Sequence, residues 1–257
     1  MSSRFAILVV AYNRTDGFIR LLNSLANASY SENVDLIISI DYSGTRDVLD
    51  IAKDFAWLYG DKIIREFESR QGLRKHILSC GNYLSKYQAI VVLEDDLIVS
   101  PAFFEYTVQT IERYYEEKRI AGISLYSFSI NVNINKPFIP QRNQYDVYYQ
   151  QLAQSWGQIW LKKQWKEFME WYNQIEDTSF NCDLLPRNIS QWPASSWLKY
   201  HDLYCVMNDK FFVYPYVSLT SCFSEKGEHA LENKNAYQVP MMTGLGKSYS
   251  FPQTFWK

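Results

Sequence analysis

The chain has no G-x-G-x-x-G and no G-x-x-x-x-G-K-[ST]. Those glycine-rich turns let backbone N–H groups cradle a pyrophosphate, so neither a dinucleotide oxidoreductase nor a P-loop enzyme fits well. No stretch approaches the ~18 consecutive apolar residues of a membrane span. The opening "MSSRFAILVVAYNR" lacks the basic, apolar and small-residue order of a secretory signal. The expectation is a cytoplasmic protein, at most peripheral to the inner face of a membrane. The four cysteines form no C-x-x-C pair, so reduced thiols are the default and nothing asks for disulfides. An excess of one charge is missing too: 26 Lys and Arg stand against 28 Asp and Glu, a net charge of −2. That balance argues against electrostatic binding to nucleic acid. We find no internal repeat and no low-complexity linker.

Aromatics, by contrast, are abundant. Of 257 residues 17% are aromatic, with eight Trp and twenty Tyr, and 47% are hydrophobic. Sugar or base sites use such side chains, and so do cores; composition alone leaves both readings open.

Apolar runs alternate with helical patterns through the first half. "FAILVVAY" (5–12) reads as a strand buried on both faces. Phe18, Leu21, Leu22 and Leu25 then recur at helical spacing, with Thr15 or Asp16 as cap. Further strands are predicted at 34–41, 62–68, 89–93 and 120–128. Helices are predicted at about 45–58, at 72–84 and after Pro101. This alternation predicts a mostly parallel α/β sheet flanked by helices. The second half differs: 131–150 is loop-like, 151–171 is dense in tryptophan, and 178–196 is irregular. A helix at 197–208 and a strand at 211–219 follow. The expected organisation is one domain over 1–257, with functional halves 1–130 and 131–257.

In an open parallel sheet, ligands bind beyond the carboxyl ends of the strands. Three such ends carry polar residues: "AYNR" (11–14), "IDYSG" (40–44) and "LEDDL" (93–97). Glu94, Asp95 and Asp96 are like charges in a row, which repel. They suit a site completed by Mg²⁺ or Mn²⁺, which take oxygen ligands and are often shared with substrate phosphates. The bland alternative is a solvated acidic turn.

Taken in order, "VVAYNR", "SIDYSG", "SRQGLRKH" and "VVLEDDLIVSPAFFEY" resemble the GT-A fold glycosyltransferases of the broad family 2 group, especially N-acetylglucosaminyltransferase I and its bacterial relatives. The resemblance implies a Rossmann-like GT-A fold with an aromatic-rich, acceptor-side C-terminal half. It implies transfer from a nucleotide-diphosphate sugar, UDP being favoured, with Mn²⁺ or Mg²⁺ as cofactor. Ala11, Tyr12, Arg14, Asp41, Arg70, Gln71, Glu94 and Asp95 would bind the donor. Asp41 would accept from the uracil N–H, and Asp96 would ligate the metal. His229, in "FSEKGEHA", would be a second ligand, with Lys226 nearby. "SWGQIWLKKQW" resembles the acceptor-side segment, so Trp156, Gly157 and Trp160 would meet the acceptor; Trp156, Ile159, Trp160 and Lys163 also lie at helical spacing.

Inversion needs a carboxylate base. The resembling enzymes place an Asp just before a Trp, whereas Ser195 and Ser196 precede Trp197 here. Asp202 is the nearest carboxylate and the expected base, with Asp183 and Asp177 as other candidates. The activity implied is hexosyl or N-acetylhexosaminyl transfer to a glycan or lipid-linked acceptor, as in surface polysaccharide biosynthesis. The rivals are a non-catalytic glycan-binding relative and a sugar-phosphate nucleotidyltransferase.

Overall fold

The computed structural model describes residues 4–175, 183–223 and 237–253. β1 (Phe5–Ala11) is buried along its whole length. It pairs in parallel with β2 (Asp35–Ile40) and with β4 (Ala89–Glu94). β3 (Lys62–Glu66) adds in parallel to the far side of β2. The crossovers are α1 (Thr15–Ala26), α2 (Asp47–Asp54) and α3 (Leu73–Cys80), the last continuing as a 3-10 turn over Gly81–Ser85. α1 buries Phe18, Leu21, Leu22 and Leu25, as the spacing predicts, each worth roughly 1.5–3 kcal/mol relative to exposure. Arg14, not Thr15 or Asp16, is its N-cap, and it makes no side-chain cap bond.

Beyond β4 come β5 (Leu97–Val99), α4 (Phe103–Tyr114) and β6 (Ile120–Ser124). A small hairpin, β7 (Ile130–Asn131) and β8 (Lys136–Pro137), then leads to β9 (Val147–Gln150). β10 (Gln158–Leu161) and α5 (Lys162–Ile175) follow. α6 (Arg187–Ser190), α7 (Leu198–Met207), β11 (Phe211–Pro215) and β12 (Thr220–Cys222) complete the elements. Among the described residues the main sheet has eight strands in the order β3-β2-β1-β4-β10-β6-β11-β9. It is the GT-A arrangement: a mostly parallel sheet with helices on both faces. Strands from beyond residue 130 lie within it.

One sequence expectation is overturned. Helical spacing over Trp156 to Lys163 predicts a helix, but Gln158–Leu161 is a strand, antiparallel to both β4 and β6. All four of its residues are buried. Ile159 faces one apolar layer and Trp160 the other. Filling the slot between two hydrophobic strands outweighs local periodicity. Trp160 stacks on Trp165 of α5, with centroids 3.7 Å apart and planes 10° from parallel. The free cysteines Cys80, Cys205 and Cys222 are all buried.

Candidate active site

The register places three polar strand ends side by side. Ala11 of β1 pairs with Ile40, next to Asp41, and Val10 pairs with Glu94. The Tyr12 amide donates to Asp95 Oδ2 at 3.2 Å, tying the end of β1 to the acidic turn. Arg14 Nη1 bridges two carboxylates, 3.1 Å from Asp95 Oδ1 and 3.0 Å from Asp96 Oδ2. Burial opposes the charge on Arg14, but Asp95, Asp96 and Glu94 outweigh it, and its pKa is raised.

One guanidinium does not satisfy three carboxylates. Burial, Asp96 and Asp95 push Glu94 up to about 8, against the pull of Arg14 and the Ser155 hydroxyl. Asp95 is pushed up to about 6 by burial and Asp96, against Arg14 and the Tyr12 amide. Burial first, and like charge after it, disfavour the ionised forms here; a cation would offset both, and the hard oxygen donors suit Mg²⁺ or Mn²⁺. Among the described residues, no group of three His, Cys, Asp or Glu side chains converges to hold a metal by protein ligands alone. The set therefore fits a cation shared with substrate phosphates. His229 and Lys226 lie outside the described residues, as does Asp177.

Asp41 has a structural task that the sequence did not announce. Its Oδ1 accepts from the amides of Tyr42 (2.9 Å) and Gln71 (2.8 Å), and its Oδ2 from Gly72 (3.0 Å). It thereby clamps the 70–72 loop onto the end of β2. Gly72, at φ +76°, makes the turn into α3. The Gln71 side chain turns back to Ser69, so this residue contributes its backbone. Arg70 sits over the Tyr12 ring, 5.0 Å from its centroid.

Ala11, Tyr12, Arg14, Asp41, Arg70, Glu94 and Asp95 line a cleft of about 110 Å³ that also includes Asn13 and His76. His76 was not singled out from sequence, though it closes the quoted "SRQGLRKH" stretch. Its Nε2 is 2.7 Å from Ser39 Oγ, which also takes hydrogen bonds from Arg65. Burial lowers its pKa to about 4, with Asp41 and Arg65 pulling in opposite directions, so the ring is neutral near pH 7.

A second cleft of about 490 Å³ adjoins the first, and Arg14, Leu73 and Glu94 line both. Its other walls include Asp96, Ser155, Trp156, Trp192, Ser195 and Ser196. Trp156 is held edge-on to Tyr126 and Phe128 at 4.8 and 5.7 Å. Gly157 has φ +98°, and a Cβ there would come within 2.9 Å of the Thr220 side chain, so the tight bend before β10 demands glycine.

Four predicted residues line neither cleft: Gln71, Gly157, Trp160 and Asp202. The Trp160 side chain is fully buried beneath the sheet, so acceptor contact gives way to packing. Asp202 is also fully buried; its Oδ1 accepts from the Ala153 amide at 2.6 Å and its Oδ2 has no partner. Burial raises its pKa well above the carboxylate range, so it is a neutral core acid on α7. The structure therefore does not bring Asp202 to the acceptor cleft. Asp183 is exposed and lines neither cleft. Trp192 and Ser155 are lining residues that the sequence reading missed; Ser155 had a signal, as the neighbour of Trp156.

Residues 6–168 match the family model for glycosyl transferase family 2. No curated protein matches the sequence. Among solved structures, S. aureus TarS 1–349 in complex with UDP-GlcNAc superposes with TM-score 0.54 at 13% identity, covering 88% of this chain and 60% of that one. Its complex with UDP gives TM-score 0.52 at 13% identity, covering 82% and 57%. GalNAc-T7 with UDP, GalNAc and Mn²⁺ gives 0.53 at 12% identity, covering 82% of this chain and 42% of that one. The chain thus spans about three fifths or less of these structures.

Proposed function

The chain belongs to glycosyl transferase family 2, and we propose that it moves a sugar from a UDP-sugar donor onto a hydroxyl of a glycan or lipid-linked acceptor. The observation that carries this reading is the junction of the two clefts. A cleft of carboxylates, arginine and backbone amides opens through a shared Arg14–Glu94 wall into a tryptophan-lined cleft. The donor's sugar would sit at that wall, with its leaving diphosphate on the donor side and the attacking hydroxyl on the other. UDP is favoured because Asp41 faces the first cleft, and because TarS and GalNAc-T7 carry UDP in the structures that share the fold.

Arg14 and Asp96 would flank the diphosphate. Arg14 supplies fixed positive charge, and Asp96 would hold a divalent cation, as would Asp95 if Arg14 moved aside. When bound, that cation supplies Lewis-acid stabilisation of the leaving group. Asp41 orders the 70–72 loop over the nucleoside, and neutral His76 with Tyr12 would flank the base. Trp156 and Trp192 offer ring faces to the acceptor sugar, and Ser155, Ser195 and Ser196 offer hydroxyls. Transfer is proposed to invert the anomeric centre with a carboxylate base. Glu94 and Asp96 are the carboxylates lining the tryptophan cleft among the described residues. The transferred unit is proposed to be a hexose or N-acetylhexosamine, and a lipid-linked acceptor would be met at a membrane surface. Among the described residues, no helix is long and apolar enough to cross a membrane.

A second reading is favoured by Ser195 and Ser196, which stand where the resemblance calls for an acid: a glycan-binding relative that has lost transfer. Thermal unfolding with Mn²⁺ and UDP, alone and together, tests the donor site. Saturation at 100 times Kd should stabilise the folded state by about 2.7 kcal/mol, and Asp96→Ala should abolish the metal-dependent part. No shift with any nucleoside diphosphate would sink the donor assignment. UDP release from UDP-GlcNAc or UDP-glucose then separates transferase from binder, and Asp96→Ala should lower that rate by about 10³-fold or more.

A further inference from the structure

A third depression lies on the outer edge of the sheet, along β9. It has a volume of about 800 Å³. Tyr145, Tyr148 and Tyr216 supply its aromatic surface, and Gln141, Gln144 and Gln150 supply carboxamides. Among the described residues, none of its lining side chains is an acid, a lysine, an arginine or a histidine. The walls are fixed in advance. The Tyr216 hydroxyl donates to the Gln141 carbonyl at 2.7 Å, and Asn143 Oδ1 accepts from the Tyr145 amide at 2.8 Å. Tyr148 stacks on Tyr214, with centroids 5.4 Å apart and planes at 24°, and meets Tyr216 at 5.2 Å.

The topology places this groove on the same end of the sheet as the acidic turn. β10 runs antiparallel to β4, so its start lies beside the end of β4, and the end of β6 lies there too. β11 runs parallel to β6, and Pro215 pairs with Val147 at the start of β9. Tyr145 and Tyr216 therefore flank the end at which Glu94 and Trp156 sit. Four strand spacings separate β9 from β4, about 19 Å. Beneath the intervening surface runs a chain of aromatic rings in which Tyr214 is fully buried. Trp156 meets Phe128, Phe128 meets Tyr214 at 5.9 Å, and Tyr214 meets Tyr148. A smaller recess of about 100 Å³, lined by Phe128, Asn131 and Gln150, lies along the same path and shares Phe138 and Gln150 with the groove.

We propose that the β9 groove is a binding site for a neutral oligosaccharide, holding sugars of the acceptor distant from the reacting hydroxyl. Ring faces pair with the apolar faces of pyranoses, and carboxamides both donate and accept, as a string of hydroxyls requires. None of the described lining side chains is a carboxylic acid or a base, and the nearby Arg142 is turned onto the Tyr216 ring, 4.6 Å from its centroid, so neutral polar groups and rings dominate the groove. A proline-rich peptide also favours aromatic grooves, but it offers no backbone donor at proline to match the three glutamine carbonyls. Binding in the groove stands independently of transfer; only its part in acceptor recognition rests on the function proposed above.

The test uses the whole chain and three neutral probes: maltohexaose, cellohexaose and chitohexaose. Each is titrated by calorimetry and by saturation-transfer NMR, with a proline-rich decapeptide in parallel. The expected result is saturable binding of at least one hexaose. That binding should weaken tenfold or more in Gln144→Ala, an exposed position, and in Tyr145→Ala. The Mn²⁺-dependent shift of unfolding by UDP should be unchanged in both variants, and hexaose binding should persist in Asp96→Ala. The proposal is overturned if no hexaose binds, if both groove variants bind as the parent does, or if the decapeptide alone occupies the groove. Loss of the UDP shift in the parent, with hexaose binding intact, would count against the donor site and leave the groove standing.

Discussion

The two flanks of β4 are built in different ways. On one side β1, β2 and β3 are added by successive parallel crossovers, and the segments that follow them deliver Arg14, Asp41 and Arg70 to one cleft. On the other side β10, β6, β11 and β9 interleave, run in both directions, and draw on residues from 120 to 215. The first flank fixes charges within about 3 Å of each other through backbone register and short hydrogen bonds. The second presents rings and neutral polar groups across a broad surface. Under the proposed function, donor chemistry and acceptor recognition reside on separable parts of one sheet, so the acceptor side can vary without moving the carboxylates.

Breaking the first flank should be costly. Asp41→Ala leaves the partly buried amides of Tyr42, Gln71 and Gly72 without their acceptor, each costing about 1 kcal/mol, the low end for an orphaned donor. A loss of about 3 kcal/mol in chemical denaturation is expected, together with loss of the UDP-dependent shift. A variant with the parent's stability would show that the loop does not depend on this clamp.

The second flank has its own strict position. Gly157→Ala forces a side chain onto φ +98° and against Thr220, with an expected cost of about 2 kcal/mol and reduced acceptor binding, the UDP shift being preserved. If donor and acceptor binding fell together, the two flanks would not be separable.

Acid sharpens the contrast further. His201, on α7, is fully buried among Phe168, Trp197 and Phe212, and neither ring nitrogen has a hydrogen-bond partner. Burial lowers its pKa to about 3, against 6.5 when unfolded. Between those values the unfolded chain binds a proton that the folded chain refuses. Stability is therefore full above about pH 6.5 and falls as pH drops toward 3, by up to ~1.4 kcal/mol per unit from this group. His201→Leu should flatten that limb relative to the parent; parallel curves for the two proteins would refute the assignment. The smallest effect is expected at Asp202. As a neutral core acid it should tolerate Asp202→Asn with less than about 1 kcal/mol of change and a transfer rate within about twofold. A large drop in rate at unchanged stability would return it to candidacy as the base.

The same division governs how much could be read in advance. β1, β2, β3 and β4 are short runs of apolar residues between helical patterns, and the signals for strand and crossover agree. Arg14, Asp41 and the acidic turn follow from the ends of those strands. β10 was hidden because Trp156, Ile159, Trp160 and Lys163 satisfy a helical period, whereas pairing to β4 and β6, far apart in sequence, decides their conformation. The acceptor role expected of Trp160 comes from the resemblance of its segment; in a strand Ile159 and Trp160 face opposite layers, and the Trp160 layer is core. Asp202 was misjudged for another reason: burial is a property of the packed α7, and nothing within "WLKYHD" announces it. Trp192 and the β9 groove depend on loops whose positions are set by tertiary contacts alone.

The placement of β10 also bears on how the chain is made. β6 ends at Ser124, and its neighbour in the sheet does not begin until Gln158. During synthesis the β4 edge therefore stays unpaired until β10 emerges, and β6 has no strand partner before then, because both β10 and β11 follow it in the chain. Open hydrophobic edges of this kind recruit stray strands, and nascent chains that carry them call for protection until the missing piece arrives. A chain cut short before residue 158 lacks both partners of β6 and the one partner of β9, so only the β3-β2-β1-β4 part of the main sheet can pair. Gly157 and Trp156 emerge just ahead of the strand that extends the β4 edge, whereas Trp192, Ser195 and Ser196 of the same cleft follow it in the chain.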